Sequence, residues 1–437
     1  MDGISPSSSR STRQTAPASA RRAGGGAHLR STVKAVGGSR RAERRRLRSG
    51  RHYWYGRHPI ASGALVVILC LTPVWVSMGN AMSDPSLGVS VSARFAEWFR
   101  DHGGAPMVNS VENFWYSHHQ PAVGGEPASG TIPAPSNDAS PKDANAVHVS
   151  GQTLHPLPTP AALKPLASPP IAGEGQWHAA GRSVGGVSAV YEAFLRPDPI
   201  HTSLVVGVAW MDMHLLSASL YSGSYIPGGG PYKNTAPITS SAARSLVAAF
   251  NAGFRMDAAN GGYYTQGRVI DPLRSGAASL VVYKNGTVGL GAWDQGLYMA
   301  PNVASVRQNL DLLVNHGRPV PGLDANDTTK WGATLGNQVY VWRSGLGITA
   351  NGALVYVGGP GLNITTLADL LVRAGAVRAM ELDINTDWVD YATFTPSSPA
   401  GLATPGNGHN LLSDMAGTPS RYFASWWSRD FFTVSAR

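Results

Sequence analysis

Nineteen consecutive residues, Ile60 to Met78 ("IASGALVVILCLTPVWVSM"), contain no charged side chain. About 20 apolar residues make a helix long enough to cross the hydrocarbon core of a bilayer, and Pro73 inside the run is tolerated in such helices. Arg51 and Arg57 lie just before it, and the first acidic residue after it is Asp84. Positive charge is retained on the cytoplasmic side. A signal anchor over 59–80 is therefore expected, with the lipid bilayer as its partner, the N-terminus in the cytoplasm and residues 85–437 extracytoplasmic. Gly79, Asn80 and Ala81 would suit a cleavage site, but the long basic segment before the span favours an anchor that is kept.

That basic segment also explains the net charge of +9. Residues 1–58 hold 14 Lys and Arg against Asp2 and Glu43, which leaves 21 basic and 24 acidic residues for the rest of the chain. A Ser-, Gly- and Arg-rich stretch with so few apolar residues cannot build a core and is expected to be disordered. The slightly acidic remainder argues against nucleic acid as a partner. Cys70, the single cysteine, falls inside the apolar run, so no intrachain disulfide can form. The exported part must rely on packing. A ratio of 29 Arg to 6 Lys, with abundant Ala and Gly, fits a GC-rich bacterial genome.

Beyond the span, residues 85–120 read as two short amphipathic helices broken at Gly103 and Gly104, with Phe95, Trp98 and Phe99 on one face of the first. Residues 121–172 are rich in Pro, Ala and Ser without aliphatic periodicity, the composition of a linker. A single folded domain is expected over 173–437, of α/β (α+β) class, with a mixed sheet and packed helices. "SLVVGVAWMDM" (203–213), "AASLVVYKNGTVGLGAW" (277–293) and "ALVYVGG" (353–359) have strand patterning, the second with an Asn-Gly hairpin signal at Asn285 and Gly286. "SSAARSLVAAF" (240–250) and "TTLADLLVRAG" (365–375) have helical spacing. In the latter, Thr366 and Asp369 fit a capping box and Gly375 a C-terminal cap.

The chemistry gathers after that second helix. Read as a strand, "RAMELDINTDW" (378–388) places Glu381, Asp383, Asn385 and Asp387 on one face, three carboxylates within seven positions of a chain that is 14% charged. Such a ladder needs cations or donors. Calcium is the ion it would take at Asp383, Asn385 and Asp387, although Trp388 replaces the turn glycine of an EF-hand. Arg343, alone among basic residues from 331 to 372, needs an anion partner, either an internal carboxylate or a substrate phosphate. Asn251 sits where "AAFNAGFRM" (248–256) breaks, next to Gly253 and Phe254. Tyr263 and Tyr264 in "NGGYYTQG" (260–267) suit either stacking on a sugar or packing. Walker, CxxC, HExxH and GxSxG patterns do not occur in the sequence, which removes the usual support for nucleotide, thiol, zinc-peptidase and serine-hydrolase chemistry.

Taken in order, these stretches resemble the phosphodiester glycosidase domain family. Its pattern has an "NGGFF"-like turn, an "RTAIG"-like strand with a "DG" turn, and a helix leading into "LDGGGS". The matching stretches are "FNAGFR" (250–255), "WRSGLGITANGALVYV" (342–357) and "TTLADLLVRAGAVRAMELD" (365–383). The resemblance spans roughly 180–395 and departs from the pattern after Asp383, where Ile384, Asn385, Thr386 and Asp387 replace the glycine run. It implies a membrane-anchored glycosidase acting on a sugar-1-phosphodiester or related linkage of an envelope polysaccharide. Asn251, Arg343 and Asp383 stand at the matching positions. Asp383 and Glu381 are the expected acid and carboxylate, with Arg343 on the phosphate. Phe254, Tyr263, Tyr264, Asn385, Asp387 and Trp388 are expected to contact substrate. The alternative is a non-catalytic glycan-binding or wall-organising protein on the same fold.

Overall fold

Residues 58–135, 146–149, 151–424 and 426–437 are described by a computed structural model; the expected basic tail, except His58, lies outside them. The apolar run forms the helix Pro59–Ser83. By length and composition it is able to cross a membrane, a test that a signal sequence also passes.

In the rest of the chain, apolar runs buried on both faces set the architecture. Val208 and Trp210 of strand Val206–Met211, with Val355 and Val357 of strand Leu354–Leu362, pack against Leu367, Leu370 and Leu371 of helix Ile364–Arg373. Their sequence neighbours Ala209, Met211, Leu354 and Tyr356 join a second cluster with Phe250, Tyr391, Phe432 and Val434. This period-two division follows from the alternation of side chains along a strand. It makes one eight-stranded sheet the centre of two hydrophobic layers. The order is Arg318–Pro319, Leu312–Asn315, Ala376–Glu381, Val341–Thr349, Leu354–Leu362, Val206–Met211, Val187–Leu195, His178–Val184. A five-stranded sheet contributes Tyr391–Phe394, Leu246–Asn251 and Phe431–Ala436 as adjacent strands. Another five-stranded sheet includes Ala278–Tyr283, Val303–Gln308 and Tyr263–Thr265. The class is α+β, and the ladders of these three sheets are antiparallel.

Helix Ile364–Arg373 packs closely on the strand that carries Arg343. A Cβ at Gly345 would lie 2.9 Å from Leu371 Cδ1, so glycine there is what lets the helix approach. The helix is capped by Asn363, whose side chain accepts from the Thr366 backbone N–H at 2.8 Å, instead of by Thr366 as expected. Gly375, at φ 93°, lies just past its end as expected.

Two expectations are corrected. The 240–250 segment is helical only over Ser240–Ala243 and continues as strand Leu246–Asn251. A run such as "LVAAF" is buried on every side, so its pattern cannot separate a central strand from a helix. Residues 121–172 are not simply a spacer. Leu157 and Leu163 are buried in the cluster under the helix, the Leu157 N–H donates to Asp212 Oδ2 at 2.7 Å, and Trp177 Nε1 donates to the Ala161 carbonyl at 2.9 Å. Proline-rich chain can lie along a surface without regular pairing, so it leaves no periodic signal.

The segment after the apolar helix also packs on the domain. Helices Val91–Phe99 and Ala105–His118 form as expected, with the bend at Gly103 (φ 90°). The first buries Glu97, while Phe95 remains 45% exposed. Its acidic face is the docked one.

Leu163→Ala is expected to lower stability by about 2–5 kcal/mol through lost burial and the cavity left behind. Urea unfolding of the full chain measures it. A loss below about 0.5 kcal/mol, the level of an exposed substitution, would show that this stretch is a spacer after all.

Candidate active site

Strand Ala376–Glu381 ends at Glu381, and the chain then turns, with the Trp388 and Val389 N–H groups donating to the Asn385 carbonyl. The one-sided ladder therefore does not form, because the extended backbone it needs stops two residues before Asp383. The Asn385 side chain accepts from the Asp387 N–H at 2.9 Å, and Asp387 and Asn385 are half-buried turn residues. Among the described residues no three His, Cys, Asp or Glu side chains gather as a metal site. The calcium expectation rested on the absent ladder.

Glu381 and Arg343 face each other inside the protein. Arg343 Nη1 donates to Glu381 Oε1 at 2.6 Å, with both side chains fully buried. The guanidinium also donates to the carbonyls of Leu362, Ala333 and Val339. Its anion is an internal carboxylate, and its donors are already engaged, so neither residue meets a substrate. Burial pushes the Glu381 carboxyl above its usual range, while Arg343 opposes that rise.

Asp383 is different. Its carboxylate accepts from the backbone N–H groups of Ile384 and Asn385, at 2.8 and 3.0 Å. It lines a small cavity of about 10 Å³ with Asn251, Trp388, Asp390, Arg421, Arg429 and Asp430. Burial raises its pKa to about 7, with Arg429 and the two backbone donors pulling the other way. Asn251 supplies the frame. Its Nδ2 donates to Ser344 Oγ at 3.0 Å, and its Oδ1 accepts from Tyr356 Oη at 3.0 Å and from the Asp390 N–H at 3.2 Å. Ser344 in turn donates its N–H to the Asp383 carbonyl at 2.8 Å.

The other walls escaped the sequence reading. Arg421 Nη1 donates to Asp390 Oδ2 at 2.7 Å, and its guanidinium carbon lies 4.6 Å from the Trp427 ring centre. Arg307 Nε donates to Asp430 Oδ2 at 2.7 Å, again with both side chains fully buried. Asp390 Oδ1 and Asp430 Oδ1 have no hydrogen-bond partner among the described residues. Arg429 stacks 4.2 Å over Trp388, which is buried beneath it and meets the cavity as a platform. The signal for this wall was present in "WWSRDFF" (426–432), where two opposite charges stand inside an aromatic run. A strand reading of that run would have demanded partners for both.

The remaining expected contacts lie elsewhere. Tyr263 is fully buried and shares a 2.9 Å hydrogen bond with Ser222. Phe254 packs with Ala259, Leu310 and Ile384. Both are packing residues. Tyr264 lines a separate, larger cavity of about 1020 Å³ whose lining contains Lys233, Arg268 and Lys284 but no carboxylate. Without a carboxylate it has no group for acid–base chemistry on a glycoside.

Comparison with known proteins agrees with the resemblance read from the sequence. Residues 244–383 match the phosphodiester glycosidase family. Among solved structures, the chain is similar to the catalytic domain of zebrafish N-acetylglucosamine-1-phosphodiester alpha-N-acetylglucosaminidase, at 14% identity over 60% of this chain and 88% of that one, with a TM-score of 0.36. It is also similar to a hypothetical protein from Synechocystis, at 14% identity over 60% of this chain and 62% of that one, with a TM-score of 0.30. No curated protein sequence matches the chain.

Glu381→Gln is expected to cost about 3–5 kcal/mol, because it strands a buried guanidinium. Pairing it with Arg343→Met should recover most of that loss in denaturant unfolding. If Glu381→Gln costs less than about 1 kcal/mol, the pair is not an internal support.

Proposed function

We propose that the protein is a membrane-anchored, extracytoplasmic glycosidase acting on a sugar-1-phosphodiester or related glycosidic linkage of an envelope glycan. The observation that carries this reading is Asp383, a buried carboxyl with pKa near 7 at the edge of a cavity walled by other carboxylates and arginines. The family match over 244–383 ends on this residue. The apolar helix Pro59–Ser83 is the proposed anchor.

A glycosidase needs one carboxyl that is protonated at working pH to donate to the leaving oxygen, and a second carboxylate across the bond. Asp383 suits the first role, because burial keeps it protonated up to near neutrality. Glu381 cannot take the second, being enclosed with Arg343. Asp390 and Asp430 are placed for it, each with one oxygen on an arginine and one facing no protein donor among the described residues. Asn251 acts as a positioning residue that fixes Ser344 and the Asp390 backbone around the acid.

The non-catalytic glycan-binding reading is favoured by one feature. Ile384 to Asp387 put side chains where the family pattern has glycines, which narrows the approach to Asp383.

Incubation of the full chain with sugar-1-phosphodiesters and aryl glycosides tests the choice. Turnover is expected to fall as pH rises through about 7, since deprotonation of Asp383 removes the acid. Asp383→Asn should reduce kcat by about 100-fold or more, the usual weight of a positioned proton donor. Binding of envelope polysaccharide without turnover at any pH would establish the second reading.

A further inference from the structure

A carboxylate is buried beside Asp383 that the proposed chemistry does not use. Glu97, on helix Val91–Phe99, is 4% exposed. Its Oε2 accepts from Arg255 Nη1 at 2.7 Å and from Arg429 Nη2 at 3.2 Å, and its Oε1 from Arg100 Nη1 at 2.8 Å. Burial alone would raise its pKa, yet Arg429, Arg255 and Arg100 together hold it below the ordinary range. It is a permanent anion.

The two domain arginines fit this carboxylate incompletely. Arg429 is 8% exposed, and its Nη1 is buried without a hydrogen-bond partner among the described residues. One carboxylate oxygen is already shared between two guanidinium groups, and the other points to Arg100. A tetrahedral phosphate presents more acceptor oxygens, and guanidinium groups match phosphate edges with paired donors. It would meet both arginines and supply the acceptor that Arg429 Nη1 lacks.

The position matters as much as the charge. Arg429 and Asp383 line the same cavity, and Glu97 is close enough to Asp383 to bias its carboxyl. Backbone contacts bring the rest of the segment onto the same rim. The Ser428 hydroxyl donates to the Ser86 carbonyl, Trp426 Nε1 donates to Asp84 at 3.2 Å, and the Val89 backbone bonds to Asp387. A Cβ at Gly223 would lie 2.2 Å from the Ser428 carbonyl, so the Arg429 loop is held closely from its other side.

We propose that Arg255 and Arg429 form the phosphate subsite next to Asp383, and that Glu97 occupies it as an internal stand-in which a phosphodiester must displace. This rests on the phosphodiester reading of the site. It adds the residues that select an anionic substrate and makes the 84–101 segment a competitor for them. Arg100 travels with Glu97 on that segment, whereas Arg255 and Arg429 belong to the domain and remain.

The test uses the full-length chain with inorganic phosphate as probe. Glu97→Gln should bind phosphate about tenfold more tightly than the unaltered protein in calorimetry, the scale of one charge-assisted contact freed. Adding Arg429→Gln should abolish the gain. In the unaltered protein, phosphate should speed amide hydrogen exchange over residues 86–101, while chloride at equal ionic strength should not. That arm needs no variant to fold. Equal phosphate affinity with and without Glu97→Gln, or exchange insensitive to phosphate, overturns the subsite. If phosphate binding rises but neither protein hydrolyses any glycoside, the subsite stands and the glycosidase reading falls. Turnover of aryl glycosides without any phosphate effect overturns the subsite and leaves the glycosidase reading in place.

Discussion

Three buried arginine–carboxylate pairs hold the region around Asp383 in shape: Arg343 with Glu381, Arg307 with Asp430, and Arg421 with Asp390. Each ties together segments distant in sequence. Arg343 joins the 341–349 strand to the end of the 376–381 strand, and Arg307 joins the 303–308 strand to the entry of the 431–436 strand. Removing charges from water is costly, so such pairs add little net stability, but breaking one leaves an uncompensated ion. Their effect is to fix geometry. The cavity wall is built from groups whose partners are already assigned.

Against that background Asp383 stands out as the carboxyl held by backbone donors at the cavity. Its folded-state pKa is raised, so its ionisation opposes folding. The penalty is absent below the ordinary carboxylate pKa, grows as pH rises toward about 7, and is complete above it. The protein tolerates this cost at one position, and the cost is what keeps an acid protonated near neutrality. Glu97 shows the reverse balance, because three arginines outweigh its burial. Two carboxyls in one neighbourhood are thus driven to opposite states by their surroundings, the pattern that separates acid from anion in functional sites.

Much of the fold was legible because strand and helix periods speak locally. The Asn285-Gly286 hairpin, the 206–211 and 354–362 strands and the 364–373 helix follow from patterning. The 246–251 strand did not, since a doubly buried run loses the alternation that marks a strand. At the site, Asp383 and Asn251 were visible at breaks in apolar runs. Glu381 was misread because alternation was extended past the strand's end, and the chain leaves the strand to let Asp383 meet two backbone donors. Arg421, Arg429 and Asp430 come from a distant segment, and Glu97 from a helix outside the expected domain. Pairings of that kind are made by topology, and no local pattern announces them.

Everything proposed for this site turns on Asp383 being held as a neutral acid beside an anion site. Carbon-13 NMR or isotope-edited infrared titration of its carboxyl, assigned through Asp383→Asn, measures this directly. Ionisation near pH 7 is expected in the unaltered protein. A carboxyl that ionises near 4, as an exposed aspartate does, would contradict it.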